Sequence, residues 1–77
     1  MSTPLRVAVI GTGSLGKEHA RIYAELAGST SDLLLTGVYD AQTVAAERVA
    51  SKCRTRLWSS VAALIENADA VSLVTPS

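Results

Sequence analysis

Seventy-seven residues allow one small domain at most, and a domain of that size buries only about 60% of the surface its unfolded chain exposes. The composition is 48% hydrophobic, and seven basic side chains balance seven acidic ones, which favours a packed unit and gives no electrostatic case for nucleic acid or an anionic membrane. The lone cysteine, Cys53, has no internal disulfide partner, and the apolar run after Met1-Ser2-Thr3-Pro4 is six residues long, too short for a signal-peptide core or a membrane span, so a soluble, cytoplasmic chain is expected.

Leu5-Arg6-Val7-Ala8-Val9-Ile10 is β-branched and almost wholly apolar, as a strand covered on both faces would be. Gly11-Thr12-Gly13-Ser14-Leu15-Gly16 follows it directly. Next comes a helical pattern with two adjoining stripes, Leu15, His19, Ile22 and Leu26, and Gly16, Ala20, Tyr23 and Ala27. The second stripe is mostly small and suits close approach to a sheet. Lys17, Glu18, Arg21 and Glu25 occupy the far side at spacings that allow exposed ion pairs. The polar stretch Gly28-Ser29-Thr30-Ser31-Asp32 ends this helix.

Leu33 to Tyr39 reads as a second strand, and the alanine-rich Gln42 to Lys52 as a second helix. Arg54 to Trp58 is a short candidate edge strand, its arginines discouraging pairing with other chains. Ser59 or Ser60 can cap a third helix that buries Val61, Leu64, Ile65 and Ala68, with Trp58 anchoring it by packing. Ala70-Val71-Ser72-Leu73-Val74 is an uncharged fourth strand running into Thr75-Pro76-Ser77.

Alternating strands and helices point to an α/β unit with a parallel sheet. Right-handed crossovers and a glycine loop after the first strand give the order 3-2-1-4, with two helices on one face and one on the other. The expected architecture is a single unit over residues 1–77, slightly more than half of a doubly wound dinucleotide fold.

The glycine loop carries the chemistry. Gly11 permits the tight turn, Gly13 lets phosphates approach the backbone, and Gly16 lets the helix pack close to the strand. The N–H groups near Ser14 and Leu15 would face a pyrophosphate. The plain alternative is a glycine-bearing turn in a βα unit that binds nothing. Asp40 ends the second strand, 24 residues beyond Gly16, where a carboxylate can accept hydrogen bonds from the adenine-ribose hydroxyls of NAD. A 2′-phosphate would be repelled there, and Ala41 and Gln42 offer no cation, so NAD is favoured over NADP. Thr75 and Pro76 follow the fourth strand at its carboxyl end, where open α/β sheets place ligands. His19 lies on a packing stripe and reads as structural, Cys53 as a small buried hydrophobe, and Lys17 and Arg21 as able to reach a phosphate or simply solvated. No metal-ligand cluster, nucleophile elbow, or catalytic lysine or histidine after the fourth strand is present in the sequence.

Gly11-Thr12-Gly13-Ser14-Leu15-Gly16-Lys17-Glu18-His19-Ala20, Gly37-Val38-Tyr39-Asp40 and the closing Ala70-Val71-Ser72-Leu73-Val74-Thr75-Pro76 together resemble the N-terminal part of the Gfo/Idh/MocA family of oxidoreductases. The resemblance implies a Rossmann fold and NAD(P)-dependent oxidation or reduction of a sugar, polyol or similar small molecule. It also implies a Glu-Lys-Pro motif with a catalytic lysine and a separate substrate domain, neither of which this chain contains. Thr75 and Pro76 would border the nicotinamide ribose. The expected function is therefore dinucleotide binding without catalysis by this polypeptide alone, the rivals being an assembly module that has lost its ligand and a Rossmann-type unit for S-adenosylmethionine or flavin. The fourth strand, Ala70 to Val74, has the composition of an interior strand although it forms one edge of the sheet, so a homodimer pairing two such strands about a two-fold axis is expected.

Overall fold

The computed structural model describes residues 4–11 and 14–74. They form β1 (Leu5–Ile10), α1 (Ser14–Ser29), β2 (Leu33–Tyr39), α2 (Thr43–Cys53), α3 (Val61–Glu66) and β3 (Ala70–Leu73). The strands are parallel in the order β2-β1-β3. The central place of β1 accounts for its apolar run, since both faces of a middle strand in such a sheet are covered. Alternation divides its side chains between two cores. Val9 packs with Val38, with Ala20 of α1 and with Val49 and Ala50 of α2, whereas Ala8 packs with Trp58 and with Leu64 of α3. Two helices thus lie on one face and one on the other, as right-handed crossovers require.

The sheet has three strands, which corrects the expected four-stranded order 3-2-1-4. The segment after α2 reaches the outer edge of β2 but forms only one isolated parallel bridge, Val38 with Leu57. Two features keep it from lengthening. Arg54 closes α2 with left-handed backbone (φ 52°), its N–H and that of Thr55 returning to Ser51 and Ala50, so the chain is not extended at Arg54. Beyond it, the outward carbonyls of β2 are taken by side chains: Thr55 Oγ1 donates to Leu35 O (2.9 Å) and Trp58 Nε1 to Thr36 O (3.1 Å). Backbone pairing is left only around Val38, which donates to Arg56 O and accepts from Trp58 N.

The same place holds a bulge. Val7 pairs with Leu35 but Ala8 with Gly37, leaving Thr36 as the extra residue. Trp58 lies against Gly37, where a Cβ would collide with the indole and with the Arg56 carbonyl oxygen. Trp58 is therefore held by a hydrogen bond, by Leu64 beneath α3, and by the Arg56 guanidinium 4.0 Å from its ring centroid. The expected anchoring of the third helix by Trp58 is what the structure shows.

Two expected apolar stripes are less buried than the periodicity suggests. In α1 the small stripe faces the sheet, with Ala20 fully buried and Tyr23 partly so, whereas Ile22 and Leu26 stay 44% and 45% exposed. His19 lies on the same stripe as Ile22 and Leu26 and touches Ser72 of β3. From His19 to Leu26 the helix advances about 10 Å, while from Ser72 back to Ala70 the strand extends about 7 Å. The stripe outruns the strand. In α3 only Leu64 is buried, because this helix packs chiefly on β2 and β1 and leaves Val71 and Leu73 of β3 exposed. α1 also continues through Gly28 to Ser29, past the expected stop, with Ser29 Oγ donating to Leu26 O.

The start of β3 is fixed to β1 by Arg6 and Asp69. The Arg6 backbone N–H and guanidinium donate to the Asp69 carboxylate, and the Asp69 N–H donates to Arg6 O (2.7 Å). The side-chain hydrogen bonds from Arg6, then its backbone N–H and charge, hold the Asp69 carboxyl below the usual carboxylate range. A group whose pKa is depressed in the folded state stabilises it above the unfolded value and loses that effect as pH falls through the folded value. The stability advantage of the wild type over Asp69→Asn should accordingly be present at neutral pH and shrink below about pH 4 in denaturant titrations. At the bulge, Gly37→Ala should destabilise the fold by about 2–4 kcal/mol through displacement of Trp58, read from its fluorescence during chemical unfolding.

Candidate functional site

The three strand ends converge on Gly11. Ile10 is level with Tyr39 on one side and with Leu73 on the other, so Gly11, Asp40 and Val74 stand abreast at the carboxyl edge of the sheet. The Gly11 N–H donates to Tyr39 O (2.8 Å), and the Val74 N–H donates to Ile10 O (2.9 Å). Gly11 has a φ of 96°, and a Cβ there would land on the Val74 carbonyl oxygen. Both the left-handed backbone and the close approach of the neighbouring strand end require glycine. The helices on either side of β1 lie on opposite faces, which makes this edge a topological switch point, the place where open α/β sheets bind ligands.

α1 begins at Ser14, so Ser14, Leu15 and Gly16 form its first turn. The unsatisfied N–H groups of such a turn, together with the helix dipole, favour an anion at this end. Gly13 lies outside the described residues, as do Thr75 and Pro76. Asp40 is half-buried at the end of β2, and its Oδ1 accepts from the Gln42 N–H (2.8 Å), an Asx turn that aims the carboxylate toward the start of α2. The structure thus brings Gly11, the first turn of α1 and Asp40 together, although they are up to 29 residues apart in sequence.

Lys17 and Arg21 do not join this group. They line an open groove of about 810 Å³ between α1 and α2, to which Gly11, Asp40 and Val74 contribute nothing. Arg21 is held there by Glu18 (2.9 Å) and Glu25 (2.8 Å). The groove is open, and its walls are solvated helix faces on which the cations Lys17, Arg21, Arg48, Lys52 and Arg54 stand with Glu18 and Glu25. The crevice is the better candidate because three separate elements build it around a glycine in left-handed backbone. Cys53 lies half-buried at the side of the groove, with its thiol pKa pushed up by burial. That is the behaviour of a packing residue, not a reactive thiolate. Among the described residues no set of three or more His, Cys, Asp or Glu is placed to hold a metal ion, and no helix is long and apolar enough to cross a membrane.

Sequence reasoning missed two features. The Gly37 bulge had a signal, since a glycine inside a strand pattern commonly marks a bulge or a close backbone approach. His19 was expected to be structural, but its partner was not foreseen: Nδ1 is joined to Ser72 Oγ by a hydrogen bond of 3.0 Å. The signal was a pair of polar residues, one on an apolar stripe and one in an uncharged strand.

Residues 5–77 match the family model described as an oxidoreductase family with an NAD-binding Rossmann fold, Gfo/Idh/MocA. The UDP-N-acetylglucosamine 3-dehydrogenase of Acidithiobacillus ferrooxidans is 42% identical over 73 residues, 95% of this chain and 21% of that protein. Its solved structure superposes with a TM-score of 0.81 at 43% identity, covering 97% of this chain and 23% of that one. The myo-inositol 2-dehydrogenase of Lactobacillus plantarum gives 0.76 at 26% identity, over 95% of this chain and 22% of that one. GenD2 from gentamicin A biosynthesis, solved in complex with NAD, gives 0.80 at 23% identity over the whole of this chain and 22% of its own, a likeness of fold alone. The chain spans between a fifth and a quarter of the length of these relatives. On this match the chain belongs to the Gfo/Idh/MocA oxidoreductase family and represents part of its NAD-binding Rossmann domain.

Proposed function

We propose that this chain forms the adenosine-diphosphate half of a dinucleotide site belonging to a sugar or polyol dehydrogenase. The observation that carries the reading is Gly11, whose positive φ and contact with Val74 hold the loop start at the switch point beside Asp40. The turn at Gly11 delivers the chain directly to the first turn of α1, whose free N–H groups suit a pyrophosphate. Gly11, Gly13 and Gly16 shape the loop, the N–H groups near Ser14 and Leu15 face the phosphates, and Asp40 accepts from the adenine-ribose hydroxyls. Thr75 and Pro76 border the nicotinamide ribose. When bound, the nicotinamide supplies the hydride acceptor or donor of the reaction. The residues named here bind and orient the dinucleotide. The relatives named for UDP-N-acetylglucosamine and myo-inositol support a hydroxylated substrate for the whole enzyme, with a cytoplasmic location supported by the unpaired Cys53.

NAD is the preferred dinucleotide. The carboxylate of Asp40 accepts ribose hydroxyls and repels a 2′-phosphate, and Ala41 and Gln42 add no positive charge. Calorimetric titration should give binding of NAD and ADP-ribose, weaker binding of NADP, and none of S-adenosylmethionine. Asp40→Ala should weaken NAD by about fivefold to tenfold and narrow its advantage over NADP, in line with the loss of hydrogen bonds to a charged group. Preference for S-adenosylmethionine, or silence toward every nucleotide at millimolar concentration, would contradict the reading.

The chain also pairs with a second copy through β3. Support comes from Leu73, 67% exposed, and Val71, 38% exposed, on a strand that pairs with β1 along one edge. Antiparallel pairing of two β3 strands about a two-fold axis would cover both. Sedimentation at tens of micromolar should show a dimer that Leu73→Lys dissociates; a soluble monomer in the wild type would refute the pairing.

A further inference from the structure

We infer that His19 is a positioning residue for the nicotinamide half of the dinucleotide, acting through its hydrogen bond to Ser72. The inference rests on the dinucleotide reading above and extends it to a residue beyond the glycine loop. The glycine loop is bracketed at both ends. Its start is fixed by the Gly11 N–H on Tyr39 O and by Val74 lying over Gly11. Past its end, in the second turn of α1, the His19 imidazole crosses to β3 and joins Ser72 Oγ at 3.0 Å.

Ser72 is paired in register with Val9, so its side chain shares the face of the sheet on which α1 lies. Two residues later Val74 donates to Ile10 O and overhangs Gly11. β3 is short, carries Leu73 exposed, and has only β1 beside it among the described residues. The His19–Ser72 bond ties α1 to this strand by their side chains, and it sets where the carboxyl end of β3 stands relative to the helix that receives the pyrophosphate. Asp40, just past the end of β2, lies on the opposite side of β1 from β3, which places the adenosine half there and the nicotinamide half toward β3. Loosening the bond therefore disturbs one half of the ligand site and spares the other.

Geometry supplies the control. The amide nitrogen of asparagine stands at the same bond separation from Cβ as Nδ1 of histidine, whereas that of glutamine matches Nε2. His19→Asn can keep the bond to Ser72, and His19→Gln cannot keep it in the same place. Titrations of the chain with NAD and with ADP should show His19→Gln and Ser72→Ala weakening NAD by about threefold to tenfold, the range of one net hydrogen bond, with ADP changed less than about twofold. His19→Asn should restore NAD affinity, and His19→Gln combined with Ser72→Ala should be no worse than either alone. Ser72→Ala removes only a hydroxyl and carries the test if His19→Gln does not fold. Equal losses for NAD and ADP, or no loss for NAD while the wild type binds it, would overturn the positioning role alone. Absence of NAD binding by the wild type would overturn the dinucleotide reading and this role with it.

Discussion

Everything at the carboxyl edge of the sheet depends on a backbone approach that only glycine allows. At Gly11 the chain turns with φ at 96° beneath the carbonyl of Val74, while its N–H is held by Tyr39. These contacts set three strand ends at one level. Since β1 lies between β2 and β3, and the helices leave it on opposite faces, the turn opens into the cleft between the crossovers. A side chain at this position would separate β3 from β1 and take away the wall of the cleft. The strain of a left-handed turn is small beside that loss, and the surrounding hydrogen bonds hold the turn in place.

A second glycine shapes the opposite edge. Gly37 admits the indole of Trp58 against β2, and that indole and Thr55 occupy the acceptors that a further strand would use. The edge is closed by side chains instead of by a full ladder, which leaves less polar backbone open to pairing with other chains. The Arg56 guanidinium over the same ring adds charge at the edge. The β3 edge is managed differently. It carries apolar, exposed Val71 and Leu73 beneath a helix that does not reach them, on a chain that spans a fraction of its relatives' length.

Much of this was legible in the residues. The apolar run Leu5 to Ile10, the glycine loop and the helix after it fixed the first βα unit, because strand, turn and helix signals agree there at every level. Asp40 could be placed from the end of the second apolar run, and the distribution of helices over the two faces followed from crossover handedness alone. The extent of pairing was not legible. Whether Arg54 to Trp58 forms a strand depends on where the Thr55 hydroxyl and the Trp58 N–H find acceptors, which is a tertiary matter. Burial along α1 and α3 was likewise overstated, since periodicity identifies an apolar face but not whether a neighbouring strand is long enough to cover it. The net charge of zero hid an uneven distribution: five of the seven cations, Lys17, Arg21, Arg48, Lys52 and Arg54, line the groove between α1 and α2.

That uneven distribution makes the decisive measurement a map of where a nucleotide binds. Two-dimensional amide spectra of the labelled chain, recorded during titration with ADP-ribose, separate the strand-end crevice from the cationic groove. Shifts concentrated at Gly11, at the first turn of α1 from Ser14 to Gly16, at Asp40 to Gln42 and at Val74 are expected. Shifts centred instead on Arg48, Lys52 and Arg54, with Gly11 and Asp40 unmoved, would contradict a dinucleotide site at the switch point.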